Sequence, residues 1–305
     1  MTLGLVFPGQ GSQSVGMLAD VACEFPQVAA TFAEASTVLG YDLWQVTAEG
    51  PAEQLDKTTT TQPALLAASY AVWQILKAEK NIQPVLLAGH SLGEYTALVC
   101  AGALSFKDAI KLVAARGEFM QDAVPVGVGA LAAIVGLDDA TVAEICQKAA
   151  LTDTLAPANF NSVGQVVIGG HTAAVERALV LAKEAGAKIA KMLPVSVPSH
   201  CTLMQPAAER LAQLLQTITI QPPRIPVLNN VDVTVYNSEA AIRDGLVRQL
   251  VMPVRWVETI QAFTQQGITR IIECGPGKVL SGLNKRINTE LQLASTADVS
   301  SIKNM

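Results

Sequence analysis

The chain has 305 residues, 50% of them apolar and 15% charged, with 21 Lys plus Arg against 26 Asp plus Glu, a net charge of −5. An acidic balance without a basic run excludes a nucleic-acid partner, and no apolar run approaches the ~18 residues of a membrane span. The five cysteines (Cys23, Cys100, Cys146, Cys201, Cys274) are dispersed without metal-type spacing, and the first seven residues lack a cationic signal region, so no metal and a reducing cytoplasm are expected.

Residues 3–7 read as a strand, and Pro8-Gly9-Gln10-Gly11-Ser12-Gln13 as a tight loop leading into a helix. Residues 26–39 are helical. A long apolar helix spans 62–80 behind a run of threonines, with Pro63 in its first turn, where proline is tolerated. Residues 85–88 form an apolar strand, followed by Gly89-His90-Ser91-Leu92-Gly93 and a helical stretch from Glu94. Residues 106–123 make another helix, carrying Arg116. Alternation of this kind predicts a parallel sheet covered by helices on both faces.

The rhythm then changes. Residues 130–135 read as a strand, 139–149 as a helix, 155–160 and 165–169 as strands, 172–185 as a helix and 188–193 as a strand. That β-α-β-β-α-β order is the ferredoxin-like unit. It predicts a small domain of residues 125–195 inserted into a larger α/β domain of residues 1–124 and 196–305, with the active site in the cleft between them. The large domain resumes with a strand at 226–230, a helix at 239–250, a strand at 269–273 and a helix after Gly275-Pro276-Gly277. The polar tail, residues 294–305, is expected to be disordered.

The pentapeptide around Ser91 has the strand–turn–helix context of a nucleophile elbow, in which a strained turn lifts a serine above the sheet. Its glycines remove side chains where strand and helix approach. The helix N-terminus behind it offers free N–H groups to an oxyanion. A serine nucleophile needs a base, usually an imidazole. Of three histidines, His90 should point to the opposite side of the turn, and His171 suits an exposed helix start. His200, in Val197-Pro198-Ser199-His200-Cys201, occupies a loop after a strand, where bases usually sit. Cys201 beside it reads as small apolar filler.

Gly9-Gln10-Gly11 superficially suggests a dinucleotide loop, but Ser14 stands where a third glycine belongs and no acidic residue follows at the ribose position. The better reading aims the Gln10 N–H at a neighbouring strand's nucleophile. With the Leu92 N–H it completes an oxyanion hole, each donor worth about 3–4 kcal/mol in the transition state.

Phe7-Pro8-Gly9-Gln10-Gly11-Ser12-Gln13, Gly89-His90-Ser91-Leu92-Gly93-Glu94, Arg116-Gly117 with Met120-Gln121, Val197-Pro198-Ser199-His200 and Glu273-Cys274-Gly275-Pro276-Gly277 stand in this order along the chain. In that order they resemble the malonyl-CoA:acyl carrier protein transacylases of bacterial fatty-acid synthesis, from about residue 3 to 290. The resemblance implies a hydrolase-like α/β domain with a ferredoxin-like insertion. Ser91 would take the malonyl group as an ester with His200 as base, Gln10 and Leu92 would hold the oxyanion, and Arg116 would grip the malonyl carboxylate. It further implies that the Gln249 carbonyl orients the histidine, in a family without a triad carboxylate, and that Asn159 and, more weakly, Gln62 line the cleft.

The chemistry agrees, since arginine's planar fork binds carboxylates bidentately. A ping-pong exchange of thioesters needs no metal and no cofactor. The implied partners are malonyl-CoA and a phosphopantetheinylated acyl carrier protein, and a monomer is expected, as no interface stripe stands out. Leu92 and Pro198-Ser199 resemble malonyl-specific bacterial enzymes more than methylmalonyl-selecting modules. An acidic carrier would need a basic patch, for which Lys183, Lys188, Lys191, Lys285 and Arg286 are candidates. Two rivals are weaker. A thioesterase would want a late acidic residue in its triad, and a non-catalytic docking module would have no use for both Ser91 and His200.

Overall fold

The computed structural model describes residues 2–195 and 197–305, so Met1 and residue 196, where the domain boundary was expected, lie outside the described residues. Two sheets organise the chain. The first has five parallel strands, β1 (Leu3–Phe7), β2 (Leu86–Gly89), β7 (Val227–Leu228), β8 (Arg270–Glu273) and β9 (Gln292–Ser295), in the order β7-β2-β1-β8-β9. Its central strands are continuous apolar runs because both faces are covered. Alternation sorts their side chains between two cores. Leu5, Phe7 and Leu87 pack with the helices Pro26–Leu39, Thr58–Lys80, Gly93–Cys100 and Phe106–Ala123. Val6, Leu86 and Ala88 pack with Trp256–Gln265 and Val279–Ile287. The loops after β1, β2, β7 and β8 all emerge at the carboxyl end of the sheet, the end where open α/β sheets bind ligands.

The second sheet is antiparallel: β3 (Gly129–Val135), β4 (Leu155–Ser162), β5 (Gln165–His171) and β6 (Ile189–Met192), ordered β4-β5-β3-β6. With its helices Asp139–Ala150 and Thr172–Glu184 on one face it is ferredoxin-like. The helices bury Ala130, Ala132 and Ile134, while Leu131, Ala158 and Val167 turn to the opposite face with Leu193 and Val195. Strand β4 is also bonded to the large-sheet part of the chain. Phe160 N–H donates to Val254 O (2.9 Å), and Val254 N–H donates to Ala158 O (2.9 Å).

Several expectations need correction. The tail is ordered: after β9, a helix at Val299–Lys303 buries Ile302 completely in the larger core. It is capped by Asp298, which accepts from the Ser301 N–H (2.7 Å), and tied by the Val299 N–H to Asp20 (2.9 Å). The long helix begins at Thr58, so Pro63 falls within it rather than in its first turn. The loop after β1 passes through turns to a helix that starts only at Ala19. Helices Gln205–Leu215 and Trp256–Gln265 were not anticipated.

Candidate active site

Strand β2 and the helix Gly93–Cys100 meet at Ser91, which adopts φ +52°, a conformation costly for a side chain that bears a Cβ. A Cβ on Gly89 would lie 1.8 Å from the Gly93 carbonyl carbon, and one on Gly93 would lie 2.1 Å from Phe7 O, so neither position admits a side chain. Asn230, just beyond β7, clasps the turn. Its Oδ1 accepts from Ser91 N–H (2.7 Å) and its Nδ2 donates to Gly89 O (2.7 Å). Sequence reasoning missed Asn230. The available signal was the Asn229-Asn230 pair at the carboxyl end of the strand read at 226–230, the end of the sheet where the elbow stands.

His200 also has a left-handed backbone, φ +64°, and its N–H donates to Leu250 O (3.0 Å). Its Nδ1 lies 2.7 Å from Gln249 O and its Nε2 lies 2.8 Å from Ser91 Oγ. A carbonyl can only accept, so Nδ1 carries the proton and the bare Nε2 faces the serine hydroxyl. Burial, then the positive charge of Arg116, pushes the imidazole down to about 3, so at neutral pH it is an uncharged base. Cys201 beside it is buried, donates to Pro198 O (3.1 Å) and is pushed up to about 11 by burial, which makes it filler and not a nucleophile.

Arg116 is 1% exposed. Its Nη1 donates to Gln62 Oε1 (2.8 Å), its Nη2 donates to Gln249 Oε1 (3.0 Å) and more distantly to Ser91 Oγ (3.4 Å), and the Tyr95 ring lies 5.3 Å away. Among the described residues it makes no ion pair with a carboxylate. Its hydrogen bonds go to neutral oxygens, the Glu94 carboxyl acts on it without contact, and Arg116 reaches the same cavity as Ser91 and His200, so its fork has room for a counter-charge in contact. The arrangement is therefore suited to an anionic group a few ångströms from the serine.

Gln10 and Leu92 line this cavity as well, and neither N–H has an acceptor among the described residues. Two unsatisfied donors flanking a serine hydroxyl can receive an oxyanion. Asn159, on β4, is buried and lines the cavity from the second sheet. Gln62 does not. It is fully buried behind Arg116, its carbonyl oxygen committed to the guanidinium, so it steadies the arginine instead of facing the cleft. His90, expected on the opposite side of the turn, lines the cavity with its Nε2 2.8 Å from Asn161 Oδ1. Its ring packs against Trp256, with 5.4 Å between the ring centroids. His171 sits half-exposed at the start of a helix in the second sheet's layer, beside Asp153 (3.7 Å), and does not line this cavity.

Comparison with known proteins agrees with this geometry. A family model described as an acyl transferase domain matches residues 5–300. The malonyl CoA-acyl carrier protein transacylase of Salmonella typhimurium (strain LT2) is 58% identical over 282 residues, covering 92% of this chain and 91% of that protein. The crystal structure of an acyl carrier protein S-malonyltransferase from Vibrio cholerae superposes with a TM-score of 0.97 at 56% identity, covering 100% of this chain and 99% of that one. A malonyl-transacylase solved in complex with its type II PKS acyl-carrier protein gives a TM-score of 0.99 at 54% identity, covering 100% and 98%. The strained serine elbow and its neutral histidine thus occur in a chain that belongs to the acyl transferase domain family, among the malonyl CoA-acyl carrier protein transacylases.

Proposed function

We propose that this enzyme transfers the malonyl group from malonyl-CoA to the phosphopantetheine thiol of acyl carrier protein through a malonyl ester on Ser91. The carrying observation is Arg116, a buried guanidinium that among the described residues forms no ion pair with a carboxylate and that reaches the same cavity as the Ser91–His200 pair. The free carboxylate of a malonyl group is the counter-charge that fits this place.

In the first half-reaction Ser91 Oγ attacks the thioester carbonyl carbon while its proton passes to His200 Nε2. The negative charge moves onto the carbonyl oxygen, between the N–H groups of Gln10 and Leu92. The tetrahedral adduct collapses, the carbon–sulfur bond breaks, and the proton on His200 leaves with the CoA thiol. In the second half-reaction the carrier thiol gives its proton to His200 and attacks the ester. Collapse then returns the proton to Ser91 Oγ. The Gln249 carbonyl keeps the imidazole in one tautomer throughout. Electron pairs and protons balance within the two thioester exchanges, so the course calls for no metal and no redox cofactor.

The whole constellation lies in one chain, which supports a monomer as the working unit. No helix among the described residues is long and apolar enough to cross a membrane, and the five cysteines are free, which supports action in a reducing cytoplasm. For the carrier, Lys188 directly precedes the exposed edge strand β6 and Lys191 lies within it, while Arg286 lies against Gln165 of β5. These exposed cations are the candidate docking points.

Incubation with radiolabelled malonyl-CoA, followed by denaturation, tests the reading. Label should be retained by the native enzyme, be absent from Ser91→Ala, and move to carrier protein when that is added. Release of CoA without retained label would show a thioesterase instead.

The pH dependence follows from His200. Because its pKa is lowered, the base form survives acidification, and the rate constant for Ser91 acylation should stay level from about pH 8 to about pH 5. An ordinary imidazole would lose half its activity near 6.5. Rapid-quench measurement of acyl-enzyme formation distinguishes the two curves.

A further inference from the structure

Under the elbow lies a buried carboxylate to which the exchange of acyl groups assigns no step. Glu94, in the first turn of the helix Gly93–Cys100, is completely enclosed. Its Oε1 accepts a short hydrogen bond from the Tyr236 hydroxyl. Its Oε2 accepts from Gln249 Nε2 (2.8 Å) and from the Asn230 N–H (3.1 Å). Both of those residues touch the site directly. Asn230 holds the Ser91 N–H. Gln249 offers its backbone carbonyl to His200 and its side-chain oxygen to Arg116, and its Nε2 also donates to Ser91 O (3.0 Å).

We propose that Glu94 is a positioning residue which, through Gln249 and Asn230, sets the orientation of His200, Arg116 and Ser91 together. This rests on the malonyl-transfer reading of the site. The physical core of the argument is the amide of Gln249. The backbone N–H of Asn230 can only donate, so the Glu94 oxygen it meets stays an acceptor whether or not the other oxygen carries a proton, and it obliges Gln249 to turn its NH2 inward. Only then does the amide oxygen face Arg116. With the opposite orientation an NH2 would point at the guanidinium, donor against donor, and the fork that meets the substrate carboxylate would be displaced.

Glu94 thus does at one remove what a triad acid does by contact. The base has no carboxylate on its own Nδ1, but the residue that supplies its carbonyl is pinned by one. Burial drives the Glu94 carboxyl up to about 7, opposed by its hydrogen bonds from Tyr236, Gln249 and Asn230 and by the charge of Arg116.

Two conservative variants test this, each compared with the native enzyme for acylation by malonyl-CoA and by acetyl-CoA, per mole of folded enzyme. Glu94→Asp keeps the charge but withdraws the acceptor by one methylene. It should slow malonyl loading about 100-fold, as a misplacement of about an ångström does. It should also lower the malonyl-to-acetyl ratio about tenfold, because Arg116 acts on malonyl alone. Glu94→Gln loses the charge but can still present an oxygen to Gln249 and Asn230, and should stay within about threefold of native on both substrates. A Glu94→Asp enzyme with an unchanged malonyl-to-acetyl ratio, whatever its thermal stability, would reduce Glu94 to a structural part of the core. A Glu94→Gln enzyme as impaired as Glu94→Asp would overturn the orientation argument. Native enzyme that accepts no malonyl group at all would overturn the functional reading beneath it, and does so in the same assay.

Discussion

Replacing His200 by alanine is expected to slow acylation of Ser91 by malonyl-CoA about 10⁴-fold, the upper range for loss of a general base. The size follows from the absence of a substitute. Nε2 of His200 is the ring nitrogen that meets Ser91 Oγ, at 2.8 Å. The neighbouring imidazole, His90, is turned to Asn161, and Glu94 is engaged below the elbow by Tyr236, Gln249 and Asn230. The residual rate would come from the N–H groups of Gln10 and Leu92 and from binding alone. Because serine and histidine act as one unit, a Ser91→Ala, His200→Ala double variant should transfer malonyl groups no more slowly than Ser91→Ala. Single-turnover transfer from malonyl-CoA to carrier protein reads both comparisons. If the two single losses multiplied, the residues would be working independently and the proton transfer described here would be wrong.

The second large effect concerns choice of acyl group. Arg116→Ala should slow malonyl loading about 300-fold and leave acetyl loading within about tenfold of native. Charge-assisted hydrogen bonds are worth about 1.5–3 kcal/mol each, and a bidentate carboxylate contact has two. Arg116→Lys should not restore selection. An ammonium cannot keep Gln62, Gln249 and a substrate carboxylate in one plane as the guanidinium does. Competition between labelled malonyl-CoA and acetyl-CoA for one enzyme sample gives the ratio directly. Equal losses on the two substrates would mean that the arginine supports the fold around Ser91 and does not read the carboxylate.

How far the sequence could be read depended on the range of the interactions involved. The elbow is local. Two glycines, a serine, the preceding apolar strand and the following helix fall within a dozen residues, so Ser91 and the Leu92 N–H were legible from spacing. The β-α-β-β-α-β order of the second sheet was legible for the same reason, element by element. His200 could be singled out because only three histidines compete. Arg116, Gln249 and Asn159 were found through the resemblance, since nothing local distinguishes a buried arginine from one on a helix surface. Asn230 and Glu94 were missed as working parts. Their roles exist only when segments more than a hundred residues apart are folded together, as in the bond from Gln249 to Glu94. Gln62 was misplaced because helical position alone does not say whether a side chain reaches a cleft or stops behind another side chain. The tail misled for a related reason. Five residues of helix have little propensity to report, and what orders them is one buried isoleucine and a distant aspartate, Asp20.

The backbone joint between β4 and residue 254 has a kinetic consequence. Bonds in both directions across that seam, with Asn159 paired to Val254 at its centre, fasten the edge of the smaller sheet to the larger layer. These bonds oppose sliding of the β4 edge against the larger layer beside the cleft. A closing stroke at this seam would have to break them, so turnover is expected to follow arrival and departure of the two thiols, which a dependence of the steady-state rate on solvent viscosity would show. A cleft held at that seam shields its ester from solvent less than a lidded site does. Between one acyl donor and the next acceptor, the charged intermediate stands open to water, and its survival depends on how quickly a carrier comes to collect it.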